Sequence, residues 1–201
     1  YFLYQETPTA LMHTLKILVC RPPQVRPDPE RFRRLVERSM GALELFQYRV
    51  VPVPFSLHHP VVVNDGGFEP EMHLHRIAVP RPGTQEQLDQ VIGEIAAGQL
   101  DRSRPLWEIW VVEGLEGGRV AYINKMHHLL ADGVASVNYL SRVLYRDPAE
   151  VEAVVPAAVT CELEPGSRRL VLDALRELAR DFARLPQLLA ESARRRRATV
   201  A

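Results

Sequence analysis

The stretch Asn124-Lys-Met-His-His-Leu-Leu-Ala-Asp-Gly133 constrains this chain more than any other. Residues Arg119 to Met126 before it alternate in polarity and predict a strand. Residues Val134 to Tyr145 after it place Val134, Val137, Leu140 and Leu144 at helical spacing. The paired histidines therefore sit where a strand hands over to a helix, a junction that presents side chains and amides to a cleft on a rigid scaffold. His127 and His128 are neighbours on extended backbone and point to opposite faces, so one metal ion is not held by both. One is expected to face a reaction channel and the other to be packed.

A neutral imidazole is the usual general base near pH 7. No Ser or Cys stands close in sequence as a nucleophile. A base without a protein nucleophile suits direct transfer, in which a bound hydroxyl or amine is deprotonated as it attacks an activated acyl group. Gly133 lacks a Cβ and lets a ligand or backbone approach closely. Asp132 is suited to hold the turn, cap the following helix or pair with an arginine. On these residues alone a second reading stays open, a core histidine followed by an N-capping Asp.

His127-His128-x-x-x-Asp132-Gly133 matches the HHxxxDG signature of the CoA-dependent acyltransferase superfamily. Flanking stretches narrow the resemblance. Pro105-Leu-Trp107, Glu113-Gly-Leu115, Phe68-Glu-Pro-Glu-Met-His73 through Ile77-Ala-Val-Pro-Arg-Pro-Gly83, and Met12-His13 are similar to segments of the bacterial wax ester synthase/acyl-CoA:diacylglycerol acyltransferase family. The resemblance runs from Tyr1 to about Tyr145. It implies a chloramphenicol-acetyltransferase-like α/β half-domain, here the N-terminal half, over residues 1–148. Residues 149–201 are then a linker and an amphipathic helix leading to a C-terminal half outside this sequence. It also implies acyl transfer from acyl-CoA, as substrate and not cofactor, to diacylglycerol or a long-chain alcohol. In that reading His128 is the general base, His127 supports it, Asp132 holds the loop and Gly133 keeps the channel open. A condensation domain using carrier-protein thioesters, an acetyl transferase, and a non-catalytic scaffold that keeps the motif as structure are the competing readings.

Composition sets the outer bounds. The chain has 201 residues, 46% hydrophobic and 25% charged, enough for a sizeable core. A formal net charge of +0 gives no general affinity for nucleic acid. Cys20 and Cys161 form neither a disulfide framework nor a zinc site, and a reducing, cytoplasmic compartment is the simpler expectation. No apolar run is long enough to span a bilayer, which leaves peripheral association with an inner membrane or lipid droplet as the lipid-facing option.

In chain order, Leu11 to Val19 predicts a strand, and Asp28-Pro29 opens a helix whose inner face is Phe32, Leu35, Val36, Met40 and Leu43. Gln47 to Val53 and Met72 to Val79 predict strands, and His58-His59-Pro60 and Asn64 to Gly67 predict loops. Thr84 with Gln87 forms a capping box for a helix buried through Leu88, Val91, Ile92 and Ile95. Trp107 to Val112 and Val120 to His128 predict a hairpin turned at Glu116-Gly-Gly118. The whole predicts a mixed, largely antiparallel sheet with helices on one face. Arg168 to Arg197 predicts a long helix, interrupted or kinked at Pro186, with an apolar stripe from Leu172 to Leu189 in a basic surround. That stripe suits docking on the C-terminal half or, as a second reading, an anionic membrane surface; its regularity favours docking.

Overall fold

A computed structural model describes residues 2–21, 28–41, 43–65, 69–130 and 164–200. The chain divides into two compact units, Tyr1–Arg49 with Asn64–Glu162, and Val50–Val63 with Leu163–Ala201.

The first unit is built on a four-stranded sheet. Its strands are β1 (His13–Cys20), β4 (Leu74–Ala78), β5 (Trp107–Glu113) and β6 (Val120–His127), in the order β1-β6-β5-β4. β6 pairs antiparallel with both β1 and β5, while β4 and β5 run parallel. The sheet is thus mixed and largely antiparallel, as expected. The parallel pair is joined by helix α3 (Gln85–Ala97), the crossover such a pair requires. Helix α3 starts where Thr84 and Gln87 predict: Thr84 accepts from the Gln87 amide and the Gln87 side chain accepts from the Thr84 amide.

Leu88, Val91 and Ile95 of α3 bury against Val112, Ala121 and Ile123 of the sheet. Helix α2 (Pro29–Gly41) lies on the other face, where Phe32 meets Tyr122 at 5.4 Å between ring centroids. The expectation of helices on one face is therefore corrected. Val112 and Tyr122 have opposite parities about the same pair of strands, and each face recruits its own helix. Helix α2 begins as predicted, with Asp28 Oδ1 accepting from the Glu30 amide and Pro29 in the first helical position. A short helix α1 (Phe2–Gln5) precedes β1.

Two flanking motifs pack on each other. Gly83 has φ +80°, and a Cβ there would stand 2.1 Å from the Gly114 carbonyl oxygen. The Gly83 carbonyl accepts from the Glu116 amide at 2.8 Å. The Pro-Arg-Pro-Gly and Glu-Gly-Leu segments thus need glycine for backbone-to-backbone approach.

Strand β1 starts two residues later than predicted and sits at a sheet edge, so Ile17, Leu18 and Val19 stay about 40% exposed instead of burying one parity. The predicted strand at 47–53 shrinks to β2 (Tyr48–Val51), behind a 3₁₀ turn at Glu44–Gln47 and stopped by prolines. It pairs with β3 (Val61–Asn64), a strand to which the sequence reading assigns no element because its apolar run is too short to show a period.

In the second unit, Leu170 and Ala174 of helix α4 (Ser167–Val200) bury with Val51, Val53 and Val63. The helix runs through Pro186 without a break, contrary to an interruption there. Leu172, Leu175, Leu178, Phe182 and Leu185 lie 42–66% exposed, so the predicted stripe is not the face buried within this unit. His58 Nε2 stands 2.9 Å from Glu177 Oε2 in the same unit. Among the described residues, no helix is long and apolar enough to cross a membrane. The predicted helix from Val134 lies outside the described residues.

Candidate functional site

Backbone hydrogen bonds bracket the end of β6 from both sides. The His127 amide donates to the Leu106 carbonyl at 3.0 Å, and the His128 amide donates to the Met12 carbonyl at 2.8 Å. The Pro105-Leu-Trp107 and Met12-His13 segments that flanked the motif in sequence thus meet at it in space. Trp107 is fully buried: its indole Nε1–H donates to the Phe46 carbonyl, and its ring stacks on His73 at 4.3 Å. It is core.

His127 is 1% exposed. Its Nδ1 accepts from the Leu129 amide at 3.0 Å, and the Leu130 amide donates to its carbonyl at 3.0 Å. An Nδ1 that accepts carries no proton, so the ring is the neutral Nε2–H tautomer. Nε2 points toward Glu6, whose Oε2 is 3.7 Å away, beyond hydrogen-bond distance. Burial lowers the His127 pKa from its ordinary value; the Glu6 carboxylate works against that shift but does not outweigh it.

Glu6 was not singled out in the sequence. Its side chain is 2% exposed and accepts a hydrogen bond from Arg102, and its Oε1 accepts from the Met12 amide at 3.4 Å. Burial raises its pKa, yet the Arg102 hydrogen bond, the Met12 amide and nearby positive charge together hold it below the usual carboxylate value. Arg102 was missed as well. The two are 96 positions apart, and a pair at that separation leaves no local pattern.

His128 is half-buried, and its Nδ1 has neither exposure nor a hydrogen-bond partner among the described residues. The ring stacks on Phe2 with centroids 4.6 Å apart and planes 12° from parallel.

Two further side chains tie this end of the sheet to α3. His13, paired with His127 across β1 and β6, lies 2.9 Å through Nε2 from the Ala96 carbonyl. Lys125 Nζ donates to the Gly98 carbonyl at 2.7 Å and faces Glu108 at 3.6 Å. Burial lowers the pKa of both. Carbonyls at the C-terminal end of a helix are natural acceptors for such groups. The predicted site residues Asp132 and Gly133 lie outside the described residues. Among the described residues, no three His, Cys, Asp or Glu side chains gather as a metal site.

The family described as wax ester synthase/diacylglycerol acyltransferase catalytic domain matches residues 1–201. The chain belongs to that family. A putative diacylglycerol O-acyltransferase of Mycobacterium tuberculosis (strain CDC 1551 / Oshkosh) is 38% identical over 181 residues, 88% of this chain and 38% of that protein. A second one from the same strain is 36% identical over 187 residues, 92% of this chain and 39% of that protein. The chain thus spans well under half the length of these curated relatives. The wax ester synthase/diacylglycerol acyltransferase of Marinobacter aquaeolei VT8 superposes with a TM-score of 0.59 at 28% identity, over 70% of this chain and 35% of that one. The first condensation domain of the calcium-dependent antibiotic synthetase superposes at 0.56 with 19% identity, over 73% of this chain and 36% of that one. At that identity the likeness shows the fold, which is chloramphenicol-acetyltransferase-like.

Proposed function

We propose that this chain is the His-bearing half of an O-acyltransferase that moves a fatty acyl group from acyl-CoA to diacylglycerol or a long-chain alcohol. The observation that supports the reading is His128, half-buried at the end of β6, with its Nδ1 buried and without a hydrogen-bond partner among the described residues, so that Nε2 is the atom assigned to the acceptor. Family membership supports the reaction class.

His128 Nε2 takes the proton of the acceptor hydroxyl as its oxygen attacks the thioester carbonyl. The resulting oxyanion collapses, the C–S bond breaks, and the imidazolium returns the proton to the CoA thiolate. A positioned base supplies a rate factor of roughly 10² to 10⁴. The remainder comes from alignment and oxyanion stabilisation, part of it in the C-terminal half. His127, neutral and buried, supports the turn and takes no proton. Asp132 holds the loop, and Gly133 leaves room for substrate. The exposed stripe of α4 docks on the C-terminal half, so residues 1–201 alone are expected to be inactive and to self-associate. A monomeric, active 1–201 chain on size-exclusion chromatography would remove the two-half reading.

The test offers labelled acyl-CoA to the full-length polypeptide with diacylglycerol, hexadecanol or an acyl carrier protein. Labelled triacylglycerol or wax ester is expected. Transfer involving the carrier protein with no lipid product would replace this reading with a condensation-type one.

A further inference from the structure

The N-terminal segment enters the site at several points. Phe2 stacks on the His128 ring, Met12 takes the His128 amide proton on its carbonyl, and Glu6 faces His127 Nε2. Glu6 is the hub of that segment. Its carboxylate is buried, receives Arg102 from the loop before β5 and accepts the Met12 amide. A buried carboxylate has to be matched by charge or hydrogen bonds, and these groups supply the match.

The tautomer of His127 follows from this arrangement. The Leu129 amide requires an unprotonated Nδ1, and a carboxylate opposite Nε2 favours a proton on that nitrogen. Were the proton on Nδ1, the Leu129 amide would lose its acceptor and the Glu6 charge would face a lone pair. The bond to Leu129, with that from Leu130 to the His127 carbonyl, shapes the turn on which His128 stands.

We infer that Glu6 and Phe2, with Arg102 anchoring Glu6, are positioning residues for His128. Glu6 fixes the His127 tautomer and so the turn, and Phe2 fixes the orientation of the base ring. The inference deepens the acyl-transfer reading above and rests on it only for its kinetic consequence. None of the three residues touches the reacting atoms through its own chemistry. Their loss should lower kcat and leave KM for acyl-CoA near its original value, because misalignment of a base by an ångström or less is a transition-state defect.

The test uses the full-length polypeptide with ¹⁵N-labelled histidine. The unaltered protein is expected to show His127 as the Nε2–H tautomer at pH 7 and His128 ring protons shifted upfield by Phe2. Glu6→Gln is expected to mix the His127 tautomers and lower kcat about 10- to 100-fold, with KM for acyl-CoA within about twofold. Phe2→Leu is expected to abolish the upfield shift and lower kcat several-fold. Arg102→Lys should keep most of kcat, and Arg102→Met should behave like Glu6→Gln. If Glu6→Gln fails to fold, the contrast between the two Arg102 variants decides the matter. A His127 Nδ1–H tautomer or imidazolium in the unaltered protein would overturn the inference. So would a folded Glu6→Gln protein with unchanged tautomer and kcat. Absence of acyl transfer in the unaltered protein would instead sink the functional reading, and the two spectra would still decide the placement of Glu6 and Phe2.

Discussion

At its Val120 end, β6 is an apolar strand in an apolar layer. Ala121 and Ile123 are fully buried, flanked by Val112 and Trp110 on β5 and covered by Leu88, Val91 and Ile95 of α3. At its His127 end, the same strand is surrounded by Glu6, Arg102, His13 and two backbone carbonyls. The first end is held by area removed from water, which is non-directional and tolerant of volume-conserving change. The second is held by directional polar contacts in a buried setting, where one missing partner leaves a costly orphan. A strand with one end of each kind keeps a rigid base while presenting a chemically specific tip.

The sharpest way to break that contrast is to remove the tip alone. His128→Ala in the full-length enzyme is expected to lose a factor of roughly 10² to 10⁴ in kcat with little change in melting temperature. His127→Ala is expected to lose less turnover and about 1–3 kcal/mol of stability, since it removes the acceptor of the Leu129 amide and empties a buried site. Activity assays beside thermal melts decide. Equal and complete losses from two well-folded variants would reverse the assignment of base and strut.

The two ends differed in how much of them could be read from sequence. The apolar end was legible because its signals are local. Leu88, Val91 and Ile95 repeat at helical spacing, Thr84 and Gln87 are three residues apart, and Glu116 to Gly118 marks the hairpin. At the polar end only the histidines and the segments bracketing them were visible. Glu6, Arg102 and Phe2 carry no spacing relation to the motif, and a lone Glu or Phe is indistinguishable in sequence from a surface or core residue. β3 was missed for a related reason: four residues are too few to show a period. The placing of α2 and α3 on opposite faces depended on sheet register, which the strand sequences alone do not fix.

Near the apolar end, Gly83 is a point that does not tolerate change. Gly83→Ala forces a Cβ to 2.1 Å from a backbone oxygen at φ +80°, and neither neighbour is a flexible side chain. Left-handed strain plus overpacking is expected to cost about 2–5 kcal/mol. Chemical denaturation should show that loss, while kcat per folded molecule stays unchanged because the substitution leaves the histidine end alone. A variant that melts normally but has lost turnover would mean that the ends of β6 are not energetically separable.

A smaller effect is expected from Asp132→Asn, beyond the polar end. In the proposed role of helix N-cap or ion-paired turn residue, Asp132 would stabilise by about 0.5–2 kcal/mol. Asn is also a good N-cap residue, so the change removes chiefly the charge. A lower melting temperature together with lower kcat supports the turn role. A full loss of activity with an unchanged melt would make Asp132 part of the chemistry itself.

The smallest effect per group is pH dependence, and it separates the two ends without mutation. Burial depresses the pKa values of His127 and His13 at the polar end, and no histidine stands at the Val120 end of β6. A depressed histidine stays neutral in the folded protein while the unfolded chain takes up a proton near its ordinary pKa of about 6.5. Below that pH the unfolded state binds more protons, so stability is present at neutral pH and falls as pH drops toward the folded-state value. Each such histidine can contribute a slope of at most about 1.4 kcal/mol per pH unit. Glu6, also depressed, adds a loss of the same sign, but only once pH approaches the ordinary carboxylate range. Amide hydrogen-exchange protection between pH 7.5 and 5.5, corrected for intrinsic rates, should therefore fall first at His127, His128, Leu129 and Leu130. Ala121 and Ile123 should hold more of their protection over the same interval, because β6 carries no histidine there and the depressed His75 reaches them only through Trp110 on the intervening strand. Parallel loss at both ends would mean that β6 opens only with the whole unit, and the polar tip would then have no independent stability to lose.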